Sequence, residues 1–343
     1  MLPKTMRINN KNHLEFGGCD LVEIAEKYGT PLYVMDESMI RENCRSYLQA
    51  LKSHYQGKGE IAYAAKAFLT LAMARLVQEE GLGMDVVSGG ELFCALKAGF
   101  DPSRLFFHGN NKSKEELISG LKAGVGRFVV DSFSELDALS VLAQEMKTTA
   151  HILLRVKPGI EAHTHEYIKT GQEDSKFGFG LERDGVLAAV KKALTMKGIA
   201  LKGLHCHIGS QILDPTPFAP TAAIMMELLQ RIREVFGIVL EDLDLGGGMG
   251  IRYEKEDEPV PIKEFVALVS QAVQQEAKKY NYPLPRLILE PGRSIVGEAG
   301  ITLYRVGVIK NIPGIRKYVS VDGGMMDNIR PALYRAKYSA VLA

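Results

Sequence analysis

The feature that most restricts what this chain can fold into is an alternation that runs through most of its length. Short apolar runs occur at Ile61 to Ala65, Met84 to Val87, Leu105 to Phe107, Phe128 to Val130, Ile152 to Val156, Leu201 to Cys206, Leu243 to Leu245 and Leu287 to Leu289. Most are followed by a segment whose apolar residues recur at helical spacing. These segments are Thr70 to Glu80, Gly89 to Ala98, Lys114 to Ala123, Ser134 to Glu145, Arg183 to Met196, Pro217 to Phe236 and Ile262 to Tyr280. About eight βα units in a span of about 250 residues is the size of a (β/α)₈ TIM barrel. A doubly wound open sheet uses the same alternation, but the unit count and the polar residues at the strand ends favour the barrel.

The flanks read differently. Pro31 to Met35 has the character of a strand and Glu37 to Tyr55 that of a helix, while Ile301 to Lys310 and Lys317 to Val321 are strand-like with no helix between them. The expected organisation is a barrel over residues 37–292 and a small β-domain built from both chain ends, residues 1–36 and 293–343. The sequence stops at Ala343, soon after the second late strand, so the β-domain is expected to be incomplete.

Charge narrows the partners. With 42 basic and 41 acidic residues the formal net charge is +1, which argues against a nucleic-acid-binding surface but leaves room for a basic pocket that takes one phosphate. Met1 to Arg7 lacks the apolar core of a signal peptide and no run is long enough to span a bilayer, so no membrane partner is expected and the location is cytoplasmic. Cys19, Cys44, Cys94 and Cys206 are scattered without a CxxC pair, which suits reduced thiols and indicates neither a disulfide framework nor a zinc knuckle.

In a TIM barrel the chemistry sits at the C-terminal ends of the strands. Lys66 is the one charge between Ile61 and Ala74. An ammonium in an apolar site has a depressed pKa, which frees the amine to form a Schiff base with a carbonyl cofactor; the bland alternative is a lysine that reaches the barrel rim. Gly246, Gly247 and Gly248 follow the seventh run and Gly292 the eighth, the positions where this fold usually holds a phosphate, and Arg293 adds a cation. A triple glycine also serves any tight turn. Glu290 ends an apolar run, where a carboxylate needs a partner; a cationic ring nitrogen suits it, and a salt bridge to Arg293 or another base is the alternative. Two His-x-His pairs, His205 with His207 and His163 with His165, could bind a metal or offer a ring for stacking. No carboxylate is evident to complete a ligand set, and no metal is expected.

Together these motifs resemble the alanine racemase-like, fold-type III pyridoxal-phosphate enzymes, and among them the diaminopimelate decarboxylase family most closely. The resemblance runs from about Leu14 to Tyr334. It is carried by Tyr63-Ala-Ala-Lys-Ala67, Asp85-Val-Val-Ser-Gly-Gly-Glu-Leu92, Gly109-Asn-Asn-Lys112 and His205-Cys-His-Ile-Gly-Ser-Gln211. Asp244-Leu-Gly-Gly-Gly248, Glu290-Pro-Gly-Arg293, Asn328-Ile-Arg-Pro-Ala-Leu-Tyr334, His163 to Gln172 and Ser175-Lys-Phe-Gly178 add to it. The resemblance implies that Lys66 binds pyridoxal 5'-phosphate covalently, that His207 stacks on its ring and that Glu290 pairs with the ring nitrogen. It implies a cofactor site of Lys66, His207, Ser210, Gly247, Gly248, Glu290, Pro291, Gly292 and Arg293, and substrate contacts from Arg293, Arg330 and Tyr334. The implied reaction is decarboxylation of meso-2,6-diaminopimelate to L-lysine, in a homodimer with active sites at the interface.

Two departures qualify it. Phe68 stands where the family usually has asparagine, and the family's Cys-Glu-Ser segment and late tyrosine do not follow Tyr334. The alternatives are a decarboxylase of ornithine, arginine or carboxynorspermidine, or a non-catalytic cofactor-binding barrel. Arg330 favours a substrate with a distal carboxylate, which ornithine lacks.

Overall fold

The computed structural model describes residues 3–160, 175–182 and 185–343. The eight apolar runs become eight parallel strands: Gly59–Ala64 (β1), Gly83–Val86 (β2), Leu105–Phe107 (β3), Arg127–Val130 (β4), Ala150–Val156 (β5), Ile199–Cys206 (β6), Asp242–Asp244 (β7) and Arg286–Leu289 (β8). They pair in sequence order, and β8 pairs with β1 through Leu287 with Gly59 and Leu289 with Ile61, closing the barrel. Strands covered on both faces need apolar side chains on both; β2 and β3 are buried throughout. Ala62, Phe106, Val129, Leu153 and Ile288, from five strands, form one buried cluster. Full burial of a side chain such as Phe106 contributes roughly 1.5–3 kcal/mol.

The helices form where the spacing predicts them, at Leu71–Glu79, Gly89–Lys97, Lys114–Ala123, Phe133–Glu145, Val186–Thr195, Phe218–Phe236 and Ile262–Lys279. Hydroxyl caps start four of them: Thr70, Ser88, Ser113 and Ser132 each accept a backbone N–H of the first turn. Ser113 and Glu116 form a reciprocal capping box. Glutamates in these first turns also reach back to the strand ends. Glu91 accepts from Val87 N at 2.8 Å and Glu135 from Asp131 N at 2.9 Å, which fixes the chain as it leaves β2 and β4.

The N-terminal ends of the strands carry a buried ionic network. Asp242 of β7 receives Arg127 Nε of β4 at 2.7 Å and Arg286 Nε of β8 at 2.8 Å, and Arg286 Nη1 donates to Glu60 of β1 at 2.8 Å. Charges on the first residues of four strands are thereby tied across the barrel floor.

The chain divides into two units, one of Asn43–Gly250 with Pro259–Ser294, which contains the barrel, and one of Met1–Glu42, Ile251–Glu258 and Ile295–Ala343. In the second unit Gly300–Leu303 pairs antiparallel with Leu32–Met35, so the two chain ends share a sheet, as expected. The expected single strand from Ile301 to Lys310 is two: Gly300–Leu303 belongs to that pair, and Val306–Ile312 turns back on Arg316–Val321. The sequence reading also missed the three short strands Arg7–Ile8, Leu14–Phe16 and Cys19–Asp20, because elements of two or three residues carry no measurable period. Asp20 caps the helix Leu21–Tyr28 that follows them.

Candidate active site

Each of the eight strands delivers at least one ionisable side chain to the C-terminal end of the barrel. In order these are Lys66, Asp85, His108, Asp131, Arg155, His205, Asp244 and Glu290, in the last residues of a strand or one or two residues beyond it. Lys66 Nζ donates to Asp85 Oδ2 at 2.9 Å. Arg155 Nε lies 3.8 Å from Asp131 Oδ1, and its guanidinium stacks 4.2 Å from the centre of the Phe177 ring. His108 Nε2 is 2.7 Å from Glu290 Oε1 and 3.8 Å from Asp85 Oδ1, while His205 Nε2 is 3.3 Å from Glu290 Oε2.

So many charges at one buried end must be divided between ionised and neutral forms. Burial works to raise the pKa of Glu290, but His108 and His205 overcome it and hold the carboxyl well below the usual carboxylate range. Asp244 goes the other way. Burial, and then the charge of Glu290, push it well above that range, and its Oδ1 accepts from Gly246 N at 2.8 Å. Burial lowers His205 to about 4, leaving a neutral imidazole. Burial, then the charge of Lys66, keep His207 well below its ordinary value, and its Nδ1 accepts from Gly247 N at 3.3 Å. His205 and His207 therefore do not act as a pair: one belongs to Glu290, the other to the glycine turn.

The expected depression of Lys66 is not found. Burial pulls its pKa down, but the charges of Asp85 and Glu290 outweigh it and the net shift is upward. The apolar sequence around Lys66 hid this, because the opposing carboxylates come from β2 and from the end of β8. The lysine side chain is half exposed, so part of it remains accessible from outside the cluster.

The glycines gather on the same end. A Cβ on Gly247 would lie 2.0 Å from the Glu290 carbonyl oxygen, and one on Gly248, whose φ is +114°, 2.4 Å from the Gly209 carbonyl oxygen. No side chain fits between these backbones. A Cβ on Gly292 would press on Ala64 and Ala67, on either side of Ala65 and Lys66. Arg293 Nη2 donates to Ser210 Oγ at 3.0 Å, which joins the turn after β6 to the turn after β8. Pro291 is buried and its carbonyl accepts from Ala64 N at 3.0 Å. Lys66, His207, Ser210, Gly247, Gly248, Glu290, Pro291, Gly292 and Arg293 thus all lie on the ends of β1, β6, β7 and β8. Arg330 and Tyr334 belong to the other unit, where the Arg330 guanidinium lies 5.4 Å from the Tyr253 ring centre and 5.5 Å from that of Tyr334. His163 and His165, with the segment through Gln172, lie outside the described residues.

His108 escaped the sequence reading, and Asp85 and Asp244 entered it only within the motifs that carry the resemblance, not as site residues. Asp85 and Asp244 sit within or against apolar runs, between Met84 and Val86 and between Leu243 and Leu245, and a charge there was itself the signal, since it is costly without a partner. Among the described residues, one donor atom each of His108, His205, Asp244 and Glu290 lies within 4.8 Å of the others, so carboxylates do stand beside His205, contrary to expectation. Two observations favour a pyridine-type cofactor with a phosphate. Glu290 Oε1 and Asp85 Oδ1 are buried without a well-directed hydrogen bond, and the glycine turns leave backbone alone on one side.

Residues 37–297 match the family model for the pyridoxal-binding domain of the pyridoxal-dependent decarboxylases. The chain is 51% identical over 339 residues to a diaminopimelate decarboxylase of Bacillus subtilis, covering 99% of this chain and 77% of that protein. It is 48% identical to one of Staphylococcus aureus, over 98% of this chain and 78% of that one. The crystal structure of a diaminopimelate decarboxylase from M. jannaschii in complex with L-lysine superposes with a TM-score of 0.89 at 40% identity, covering 99% of this chain and 78% of that one. The chain spans about three quarters of the length of these relatives.

Proposed function

The chain belongs to the pyridoxal-dependent decarboxylases, in the diaminopimelate decarboxylase family, and from that premise we propose the roles of its site residues. The reaction is decarboxylation of meso-2,6-diaminopimelate to L-lysine and carbon dioxide, with pyridoxal phosphate as cofactor. The observation that carries this reading is a buried Glu290 carboxyl between His108 and His205, on the same barrel end as the Lys66–Asp85 pair.

Bound pyridoxal phosphate supplies an aldehyde for an amine to capture and a protonated ring that takes up the electrons left when a carboxylate departs. The chain's residues orient it and control protons. Lys66 is the capturing amine, and Asp85, 2.9 Å away, steers it. Glu290 holds a proton at the ring nitrogen, which only an ionised carboxylate can do. His207, kept neutral, would lie against the ring without adding charge. Gly247, Gly248, Pro291, Gly292, Ser210 and Arg293 take the phosphate, Arg293 supplying the charge-assisted contact. Arg293, Arg330 and Tyr334 are assigned to the substrate, the arginines to its carboxylates.

We assign the barrel of residues 37–292, together with Arg293, to the cofactor and the β-unit of residues 1–36 and 293–343 to substrate contacts. A homodimer in the cytoplasm fits this assignment, and among the described residues no helix is long and apolar enough to cross a membrane. Sedimentation velocity tests the dimer.

The decisive experiment adds pyridoxal phosphate to the purified chain, records the visible spectrum, and then supplies meso-diaminopimelate while carbon dioxide and lysine are measured. A new visible band and both products are expected; a Lys66→Ala variant should lack the band. A band of wild-type intensity in that variant refutes the lysine assignment, and absence of a band in the wild type refutes the cofactor site.

A further inference from the structure

We propose that His108 and His205 are positioning residues that grip Glu290 from both sides and hold its carboxylate in line with the cofactor's ring nitrogen. The inference rests on the role assigned above to Glu290 and names what makes that role possible. Three strands meet here: His108 follows β3, His205 lies in β6 and Glu290 follows β8. The two imidazoles face opposite oxygens: His205 Nε2 hydrogen-bonds Oε2 at 3.3 Å, and His108 Nε2 lies 2.7 Å from Oε1 in a close contact that is not directed as a hydrogen bond. Rotation of the carboxylate about its terminal bond would disrupt both contacts at once. The imidazoles also restrain each other, meeting edge to face with centroids 4.8 Å apart and planes inclined by 74°.

The protonation of one ring follows from its surroundings. His205 Nδ1 is buried with no hydrogen-bond partner among the described residues, so a proton there would be uncompensated. The proton therefore sits on Nε2, and His205 donates it to Glu290 as a neutral ring. His108 has a wider reach, since its Nε2 also faces Asp85 Oδ1 at 3.8 Å and Asp85 accepts from Lys66. Lys66, Asp85, His108, Glu290 and His205 thus stand in one row of polar groups, hydrogen-bonded at Lys66–Asp85 and His205–Glu290 and within 4 Å in between. The row links the amine that captures the aldehyde with the carboxylate that serves the ring nitrogen.

The same donors do not enclose a cation between His108 and Glu290. Two ligands of a tetrahedral metal at about 2.0–2.1 Å stand more than 3 Å apart, whereas these two atoms are 2.7 Å apart. A purely packing role is the competing explanation, and it predicts indifference to the ring nitrogen.

The test compares binding of pyridoxal phosphate with binding of its analogue that carries CH in place of the ring nitrogen, by absorbance titration of the cofactor-free chain. The wild type should prefer the natural cofactor about tenfold or more. In His108→Leu and His205→Leu, affinity for pyridoxal phosphate should fall by roughly ten- to a hundredfold, while affinity for the analogue stays within about threefold. His108→Gln, whose amide N–H reaches the place of Nε2, should restore most of the preference. Where leucine unfolds the chain, the same ratio is read in His108→Asn, which is polar but too short, against His108→Gln. Wild-type preference in both leucine variants, or in His108→Asn, overturns the inference and leaves the Glu290 assignment standing. No preference in the wild type overturns the Glu290 assignment itself.

Discussion

Replacing Asp242 by alanine should destabilise the barrel without touching its chemistry. Asp242 is 1% exposed and receives two guanidinium groups, at 2.7 and 2.8 Å. Removing the shared carboxylate leaves Arg127 without its charged partner and Arg286 with Glu60 alone. Breaking a buried pair in this way costs about 3–5 kcal/mol. The arginine side chains here retain 16% and 26% of their exposure, so water relieves part of the loss and the lower end, about 3 kcal/mol, applies. A unit of roughly 240 residues unfolds with an entropy of about 0.5 kcal/mol/K, so Tm should fall by about 6 °C. Differential scanning calorimetry measures the shift, and kcat on meso-diaminopimelate at 25 °C should stay within about twofold, because the network sits on the first residues of the strands and the chemistry on the last. A Tm within 1–2 °C of wild type would refute the claim that the floor network bears stability. A large drop in kcat with an unchanged Tm would refute the separation of the two barrel ends.

Three further outcomes follow from the geometry. Because the pKa of Asp244 is raised in the folded chain, its contribution to stability is fullest below the unfolded value near 3.9 and is lost as pH rises toward the folded value. Asp244→Asn should therefore match wild type in Tm near pH 4 and exceed it increasingly toward neutral pH; a Tm difference that does not grow with pH counts against a protonated Asp244. Gly247→Ala forces a Cβ to within 2.0 Å of the Glu290 carbonyl, a strain of about 1–3 kcal/mol, and should weaken pyridoxal-phosphate binding in an absorbance titration at least fivefold or so; unchanged affinity refutes the close approach. Ser113→Ala removes the capping box and should cost about 1 kcal/mol in urea denaturation, with no loss meaning that Glu116 alone secures the turn.

How much of this was legible beforehand depends on what each residue's neighbours are. Strands such as Leu105–Phe107 and helices such as Lys114–Ala123 appear where the pattern put them, because burial on a sheet and on a helix face leaves distinct periods in the sequence. Lys66 and Glu290 were legible for a related reason: each is a single charge that interrupts an apolar stretch at a strand end. His108 was not, since its meaning lies in which strands meet across the barrel rather than in its own flanks, whereas Asp244 carried a signal in its apolar flanks but none of its partners. The upward shift of Lys66 belongs to the same class, because Asp85 and Glu290 are far from it in sequence. The break between Leu303 and Val306 was illegible because β-branched residues continue on both sides while the pairing partner changes.

The closing pair of strands has a consequence for how the protein is made. Lys66 and Glu290 stand about 220 residues apart along the chain and meet only when β8 joins β1. At about 5–20 residues per second on the ribosome, the lysine waits some 10–45 s after its own synthesis before its counterpart exists. A nascent chain shorter than 290 residues holds at most one of the two, so the site assigned to the cofactor is complete only once β8 has joined β1.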